Sequence, residues 1–149
     1  YNLGRNGKMP GSAHEIRYIN RDENTHLWLF RSILLELKKE EPQLFTDEYV
    51  AIYKAMLAQG VEEEIRWGAY VLGDKIEGLS LKMIEEYIYY LGNLRSLGLG
   101  FGKLYDGYDS EPASMAWVSQ YANANMIKTD FFEAKSTAYA KSGALVDDL

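Results

Sequence analysis

Ile16-Arg17-Tyr18-Ile19-Asn20-Arg21-Asp22-Glu23-Asn24-Thr25-His26-Leu27-Trp28-Leu29-Phe30-Arg31-Ser32-Ile33-Leu34-Leu35-Glu36-Leu37 is the stretch that decides the architecture. Ile16, Ile19, Glu23, His26, Phe30, Ile33 and Leu37 recur at steps of 3, 4, 3, 4, 3 and 4, the period of one packed face of an α-helix. Ser12, with Glu15 three residues later, reads as the N-cap of this helix, and Pro42 ends it after about Glu41. Roughly 30 residues at about 1.5 Å each give a rod of about 45 Å, a length typical of helical bundles.

Outward from this helix, the residues before it, Asn2 to Lys8, are rich in Gly and Asn and read as a loop. After it, a second helix is expected from Thr46 to about Gly73, with Val50, Tyr53, Leu57, Val61, Gly68 and Val71 on one face and Gly60 as a point where a kink or a break into two helices can occur. A third starts near Ser80, shows Leu81, Ile84, Ile88, Leu91 and Leu94 at helical spacing, and ends in the glycine-rich stretch from Leu97 to Gly102. Tyr105 to Asp109 is turn-like, Ala113 to Gln120 suits a short helix, and Asp130 to Leu149 reads as a flexible tail. Nothing alternates with a period of two, so the fold class is all-α.

Composition narrows the chemistry. The 149 residues suffice for one compact domain and not for two ordinary ones. With 16 basic and 22 acidic residues and no basic block, the footprint of a nucleic-acid binder is missing, so no nucleic-acid partner is expected. No apolar run approaches the roughly 18 residues of a membrane span, and no secretory leader is read, so the expected location is the cytoplasm with no membrane partner. The absence of cysteine removes thiol nucleophiles, disulfides and thiolate metal sites, and leaves oxygen and imidazole as the metal donors. The chain opens at Tyr1 instead of Met, which suggests a piece of something longer.

The first helix carries the chemistry. Glu23 and His26 stand one turn apart in the middle of the apolar stripe, where each would cost several kcal/mol unless paired or ligated. Glu-x-x-His on an inward face is the arrangement of carboxylate-bridged di-metal sites in ferritin-like bundles. With 14 Glu and 2 His, the bare spacing arises by chance in roughly one such chain in five, so it is the register that gives the motif weight. The alternatives are a hydrogen-bonded core pair and a surface pair, both without metal. Asp22 points to a neighbouring face, where it can accept a hydrogen bond from an imidazole that holds metal, or serve as a solvated acid. His14 reads as a polar surface residue, Glu62-Glu63-Glu64 as a solvated face with Glu64 able to approach the seam, and Trp28, Trp67 and Trp117 as core or interface packing before electron relays. A four-helix site calls for two Glu-x-x-His motifs and two further carboxylates, and this chain supplies one motif. Either the site is not di-nuclear, or half of it lies on another polypeptide.

The segment Arg21-Asp22-Glu23-Asn24-Thr25-His26 resembles the Arg-Asp-Glu-x-x-His segment of the small, radical-generating subunit of class I ribonucleotide reductase. The resemblance continues through Glu64 to Tyr70, Tyr87 to Arg95 and Asn125 to Glu133, and covers the C-terminal half of that family's small subunit. It implies a ferritin-like helical bundle, incomplete in residues 1–129, followed by a tail at 130–149. Glu23 and His26 would be ligands of one metal of a di-nuclear centre, with iron/iron the leading pair and manganese/iron or manganese/manganese left open. Asp22 would link a metal-bound histidine to a buried tryptophan on the radical-transfer route, and Ile16 and Ile19 would line the pocket that shields the stored radical.

The resemblance also implies that Tyr139, seven residues after Phe132, passes the oxidising equivalent between subunits, and that Leu145-Val146-Asp147-Asp148-Leu149 docks on the large subunit. The partners implied are a polypeptide carrying the N-terminal half, the large subunit, and a second copy in a homodimer. The activity implied is reduction of ribonucleotides to deoxyribonucleotides, with the chain incomplete alone. Two other readings remain: a ligand-binding oxidase of the same ferritin-like fold, and a metal-free helical interaction module.

Overall fold

A computed structural model describes residues 1–122. Its helices are α1 (Asn2–Arg5), α2 (Pro10–Glu40), α3 (Asp47–Val71), α4 (Leu81–Gly98) and α5 (Trp117–Ala122), with a short 3-10 turn at Pro42–Phe45 between α2 and α3. The all-α expectation holds, and there is no strand among the described residues.

Two of the helix starts are set by side chains the sequence names. Thr46 Oγ1 accepts from the Tyr49 amide at 3.4 Å, and Ser80 Oγ accepts from the Met83 amide at 3.3 Å, each satisfying one of the amides a helix start leaves open. Helix α2 departs from expectation. It begins at Pro10, whose fixed φ suits the first turn and whose missing N–H is no loss there, so Ser12 lies inside the helix and caps nothing. Met9, in the left-handed region at φ 48°, occupies the cap position.

Three further expectations are corrected. Asn2 to Lys8 is not wholly loop: Asn2–Arg5 forms a helical turn, pinned because buried Asn2 donates from Nδ2 to the Glu77 carbonyl at 2.9 Å. Helix α3 runs through Gly60 unbroken, since it follows one continuous run of backbone bonds from Asp47 to Val71. The last described helix starts at Trp117, later than Ala113: the Met115 and Val118 amides bond three residues back, to the Pro112 and Met115 carbonyls at 2.9 and 2.8 Å, as turns, and the Ser114 carbonyl accepts from the Trp117 indole Nε1 at 3.1 Å.

Helices α3 and α4 make the main packing contact, antiparallel and close. A Cβ at Gly92 would stand 2.7 Å from Val61 Cγ2, and one at Gly68 would stand 3.4 Å from Ile84 Cγ2. Buried Asn93 then organises the loop after α4: its Nδ2 donates to the carbonyls of Tyr105 (2.7 Å) and Tyr108 (3.0 Å), and its Oδ1 accepts from the amides of Leu104 and Tyr105, both at 2.9 Å. Ser96 Oγ donates to the Gly102 carbonyl at 2.6 Å. Across the helices, Arg31 Nε donates to the Gly98 carbonyl at 2.8 Å and Lys38 Nζ to that of Gly100 at 3.4 Å, placing two cations at the negative end of α4.

Candidate metal centre

The expected seam of α2 is present in register and open in fact. Ile16, Ile19, Phe30 and Ile33 are 47%, 53%, 63% and 52% exposed, so the stripe is not a buried seam among the described residues. The apolar core of those residues is small, with Tyr18, Val61 and Met115 its buried members. Trp28 and Trp67, expected as core or interface packing, lie exposed and so are not core among the described residues, while Trp117 packs under the Arg5 guanidinium at 4.3 Å. A stripe of this spacing on a helix of 31 residues requires a cover, and no described helix supplies it.

Glu23 and His26 meet as the i, i+3 geometry requires. His26 Nδ1 and Glu23 Oε2 are 3.4 Å apart, and both side chains are exposed, at 61% and 66%. That openness removes the burial cost that argued for a partner within this chain; it counts against a hydrogen-bonded core pair and agrees with the surface-pair alternative. The donor set fits a metal. Two ligand atoms at about 2.1 Å from one ion, with roughly right-angled to tetrahedral ligation, stand about 3.0–3.4 Å apart. One carboxylate oxygen and one imidazole nitrogen are nonetheless a partial set, and among the described residues no group of three acids or histidines converges.

Asp22 directly precedes this pair on α2 and is engaged by Arg21. Its Oδ1 accepts from Arg21 Nε at 3.1 Å, and the Arg21 guanidinium lies over the ring of Tyr18 at 5.3 Å. His14 is not the free surface residue expected: its ring meets buried Tyr18 edge-on at 4.9 Å. Glu63 pairs with Arg66 at 2.9 Å on the solvated face of α3. Glu64 instead borders an open groove of about 710 Å³ between α3 and α4, with Leu57, Val61, Tyr87, Leu91 and Arg95. Tyr139 and the segment from Leu145 to Leu149 lie outside the described residues.

Sequence reasoning missed Asn93 and the arginine–aromatic cluster of Arg5, Arg17, Trp117 and Tyr121. A polar residue amid Leu91-Gly92-Asn93-Leu94 on an apolar face was the available signal for the first. The second is a meeting of distant residues and left no local pattern.

Comparison with known proteins gives concordant findings. The family model for ribonucleotide reductase, small chain, matches residues 1–112. The ribonucleoside-diphosphate reductase subunit beta of Treponema pallidum (strain Nichols) is 68% identical over all of this chain and 42% of its own length. Its counterpart from Halalkalibacterium halodurans is 42% identical over 97% of this chain and 41% of its own. Among solved structures, the ribonucleotide reductase R2 subunit from Clostridium botulinum superposes with a TM-score of 0.78 at 43% identity, over 82% of this chain and 38% of that one. The chain thus spans about two fifths of the length of the relatives it matches.

Proposed function

The chain belongs to the ribonucleotide reductase small-chain family, and on that premise we propose that it is the C-terminal part of a class I small subunit. Its work would be to help generate and hold a radical initiator and to pass the oxidising equivalent to a large subunit that reduces ribonucleotides. The observation that carries this is the identity of 68% over the whole chain to a reductase subunit beta.

Glu23 and His26 would hold one ion of a di-nuclear centre. Iron/iron is the leading pair, with manganese/iron or manganese/manganese as alternatives. Bound there, the centre would supply the one-electron oxidising power that the side chains of this chain lack. What those side chains do is hold and shield. The carboxylate brings negative charge and the neutral imidazole a nitrogen lone pair, a set suited to iron or manganese. Ile16 and Ile19 would present hydrocarbon that keeps water out once the stripe is covered. Asp22, oriented by Arg21, would accept a hydrogen bond on the transfer route. Tyr139 would carry the equivalent onward, because a phenol can lose an electron and a proton together.

The partners follow from the open stripe. A polypeptide bearing the N-terminal half of the family fold would cover it and bring the remaining ligands. A second copy would complete a homodimer, and the tail would dock on the large subunit. No helix among the described residues is long and apolar enough to cross a membrane, which agrees with work in the cytoplasm, and the net charge of −6 gives no support to a nucleic-acid partner. An oxidase of the same fold needs neither Tyr139 nor the tail, so those residues favour the reductase reading.

The test is reconstitution. The chain joined to the N-terminal half should bind metal, give a radical signal by electron paramagnetic resonance, and support nucleotide reduction with a large subunit. A correctly folded complex that binds no metal overturns the reading, and Tyr139→Phe with reduction intact overturns the transfer role.

A further inference from the structure

Helix α2 is held at two places with an open span between them. Near its start Tyr18 is buried, with His14 edge-on to its ring at 4.9 Å, and the Arg17 guanidinium lies on the Tyr121 ring of α5 at 4.7 Å. From Asp22 to Phe30 every residue is exposed, and Glu23 and His26 stand inside that span. The next hold is Arg31, whose Nε donates to the Gly98 carbonyl at 2.8 Å. Here α2 faces α4 across an open groove of about 580 Å³, bordered by Leu27, Trp28, Leu94 and Leu97. The reach of the Arg31 side chain, more than close backbone approach, joins the two helices.

The point that Arg31 grips is itself fixed. Gly98 ends α4, so its carbonyl is one of those that a helix end leaves without an intrahelical partner, and a guanidinium there meets the negative end of the helix dipole. The side chain lies close over the glycine: a Cβ at Gly98 would stand 3.6 Å from Arg31 Nε. Three residues on, Phe101 packs with Phe45 at 6.5 Å and with Tyr53 at 5.8 Å, so the end of α4 rests on the 3-10 turn and on α3. Lys38 adds a second, longer bond to the Gly100 carbonyl at 3.4 Å. From Tyr18 to Arg31 is about 20 Å of helix, and from Tyr18 to Lys38 about 30 Å. Loss of the Arg31 bond would therefore lengthen the span that carries Glu23 and His26 by about half.

We propose that Arg31 is a positioning residue for the Glu23/His26 pair: by tying α2 to the end of α4 it sets where those two donors stand relative to the rest of the bundle. This rests on the reading of the pair as metal ligands given above. A site assembled from two sets of helices binds metal well only where the donors of one set are held in register with those of the other. A bias of this kind can change metal affinity by no more than its own free energy, and an exposed cation at a helix C-terminus shifts an equilibrium about two- to fivefold.

The absence of cysteine makes the test direct. In the metal-free chain joined to the N-terminal half, spin labels at Glu36→Cys on α2 and Lys82→Cys on α4 should give a single narrow distance. Arg31→Met should broaden it, and Arg31→Lys, which keeps a cation at the carbonyl, should keep it narrow. The dissociation constant for iron(II), taken by anaerobic titration of the unlabelled proteins, should rise about two- to fivefold in Arg31→Met and stay at the parent value in Arg31→Lys. Arg95→Met removes another cation bordering the same groove and should change neither reading. An unbroadened distance in Arg31→Met overturns the tie, and a broadened distance with unchanged iron affinity overturns the positioning role. Equal weakening in Arg95→Met would trace the effect to charge alone and overturn that role too. If the parent binds no iron, the proposed function falls, and with it the role toward metal, while the distance alone still decides the tie.

Discussion

Gly92 and Val61 touch across the α3/α4 contact so closely that a Cβ at 92 would stand 2.7 Å from Val61 Cγ2. Val is stiff at χ1, so that methyl cannot swing aside as the end of a long side chain would. Gly92→Ala gains about 1 kcal/mol of helix propensity and incurs an overpacking cost of about 1–3 kcal/mol, for a net loss. Denaturant unfolding should show lower stability for Gly92→Ala. Adding Val61→Ala should recover the loss specific to the clash, and a double-mutant cycle with no coupling would refute the contact.

Asn93 makes four hydrogen bonds to the backbone of residues 104–108 while fully enclosed. Its replacement by Ala strands two amides and two carbonyls, each worth about 1 kcal/mol when paired and more when left buried and alone. A loss of about 3 kcal/mol or more is expected. Hydrogen exchange should locate it, because the Leu104 and Tyr105 amides lose protection first. Equal protection in the variant would mean that the loop is held by something else.

What was legible in the sequence follows the range of the interactions. Helices α3 and α4 were readable because Thr46 and Ser80 act on amides three residues away. The Glu23/His26 contact was readable because it lies within one turn. Helix α1 was not, since Asn2 is fixed by Glu77, distant in sequence. Ser12 misled because a capping pattern and Pro10 compete for the same helix start, and the proline suits the earlier position. The stripe of α2 was read in the right register and incorrectly as buried. Periodicity shows which side of a helix requires cover, and says nothing of which polypeptide provides it. For the same reason one turn of helix disclosed the Glu23/His26 pair and could not disclose what would complete a site around it.

Four phenols give the chain an alkaline limit, Tyr1, Tyr87, Tyr89 and Tyr105, and burial is the first cause at each. Burial pushes the Tyr87 hydroxyl above its ordinary value, with Glu111 and Tyr90 adding to it. Burial and then Glu62 do the same for Tyr89, whose hydroxyl donates to Glu62 Oε1 at 3.3 Å, and for Tyr105. The folded state therefore holds these protons more tightly than the unfolded chain. Their contribution is complete below about pH 10, the unfolded value, and is lost as pH rises through the raised folded values. Stability should decline above about pH 10, and absorbance of tyrosinate should show a late-titrating fraction. Glu62→Gln should move part of that fraction to lower pH, and an unchanged titration would remove Glu62 as a cause.

Glu23 and His26 separate metal ligation from structural pairing by what their loss leaves unchanged. Exposed ion pairs contribute about 0–1 kcal/mol, and this one, at 3.4 Å with both side chains open, belongs in that range. If the pair were only structural, Glu23→Ala or His26→Ala would alter stability slightly and nothing else. As ligands of a centre completed by the N-terminal half, they should each lower bound iron by a large fraction in the joined protein. The apo form of each variant should unfold within about 1 kcal/mol of the unsubstituted apo protein. The stabilisation that added iron confers on the parent, which grows as RT ln(1 + [L]/Kd), should shrink or vanish in both. Lys39→Ala, which breaks another exposed i, i+3 pair on the same helix at 2.7 Å from Glu36, supplies the comparison: it should leave metal content and iron-dependent stabilisation intact. Full iron occupancy in both Glu23→Ala and His26→Ala would exclude the pair as metal ligands.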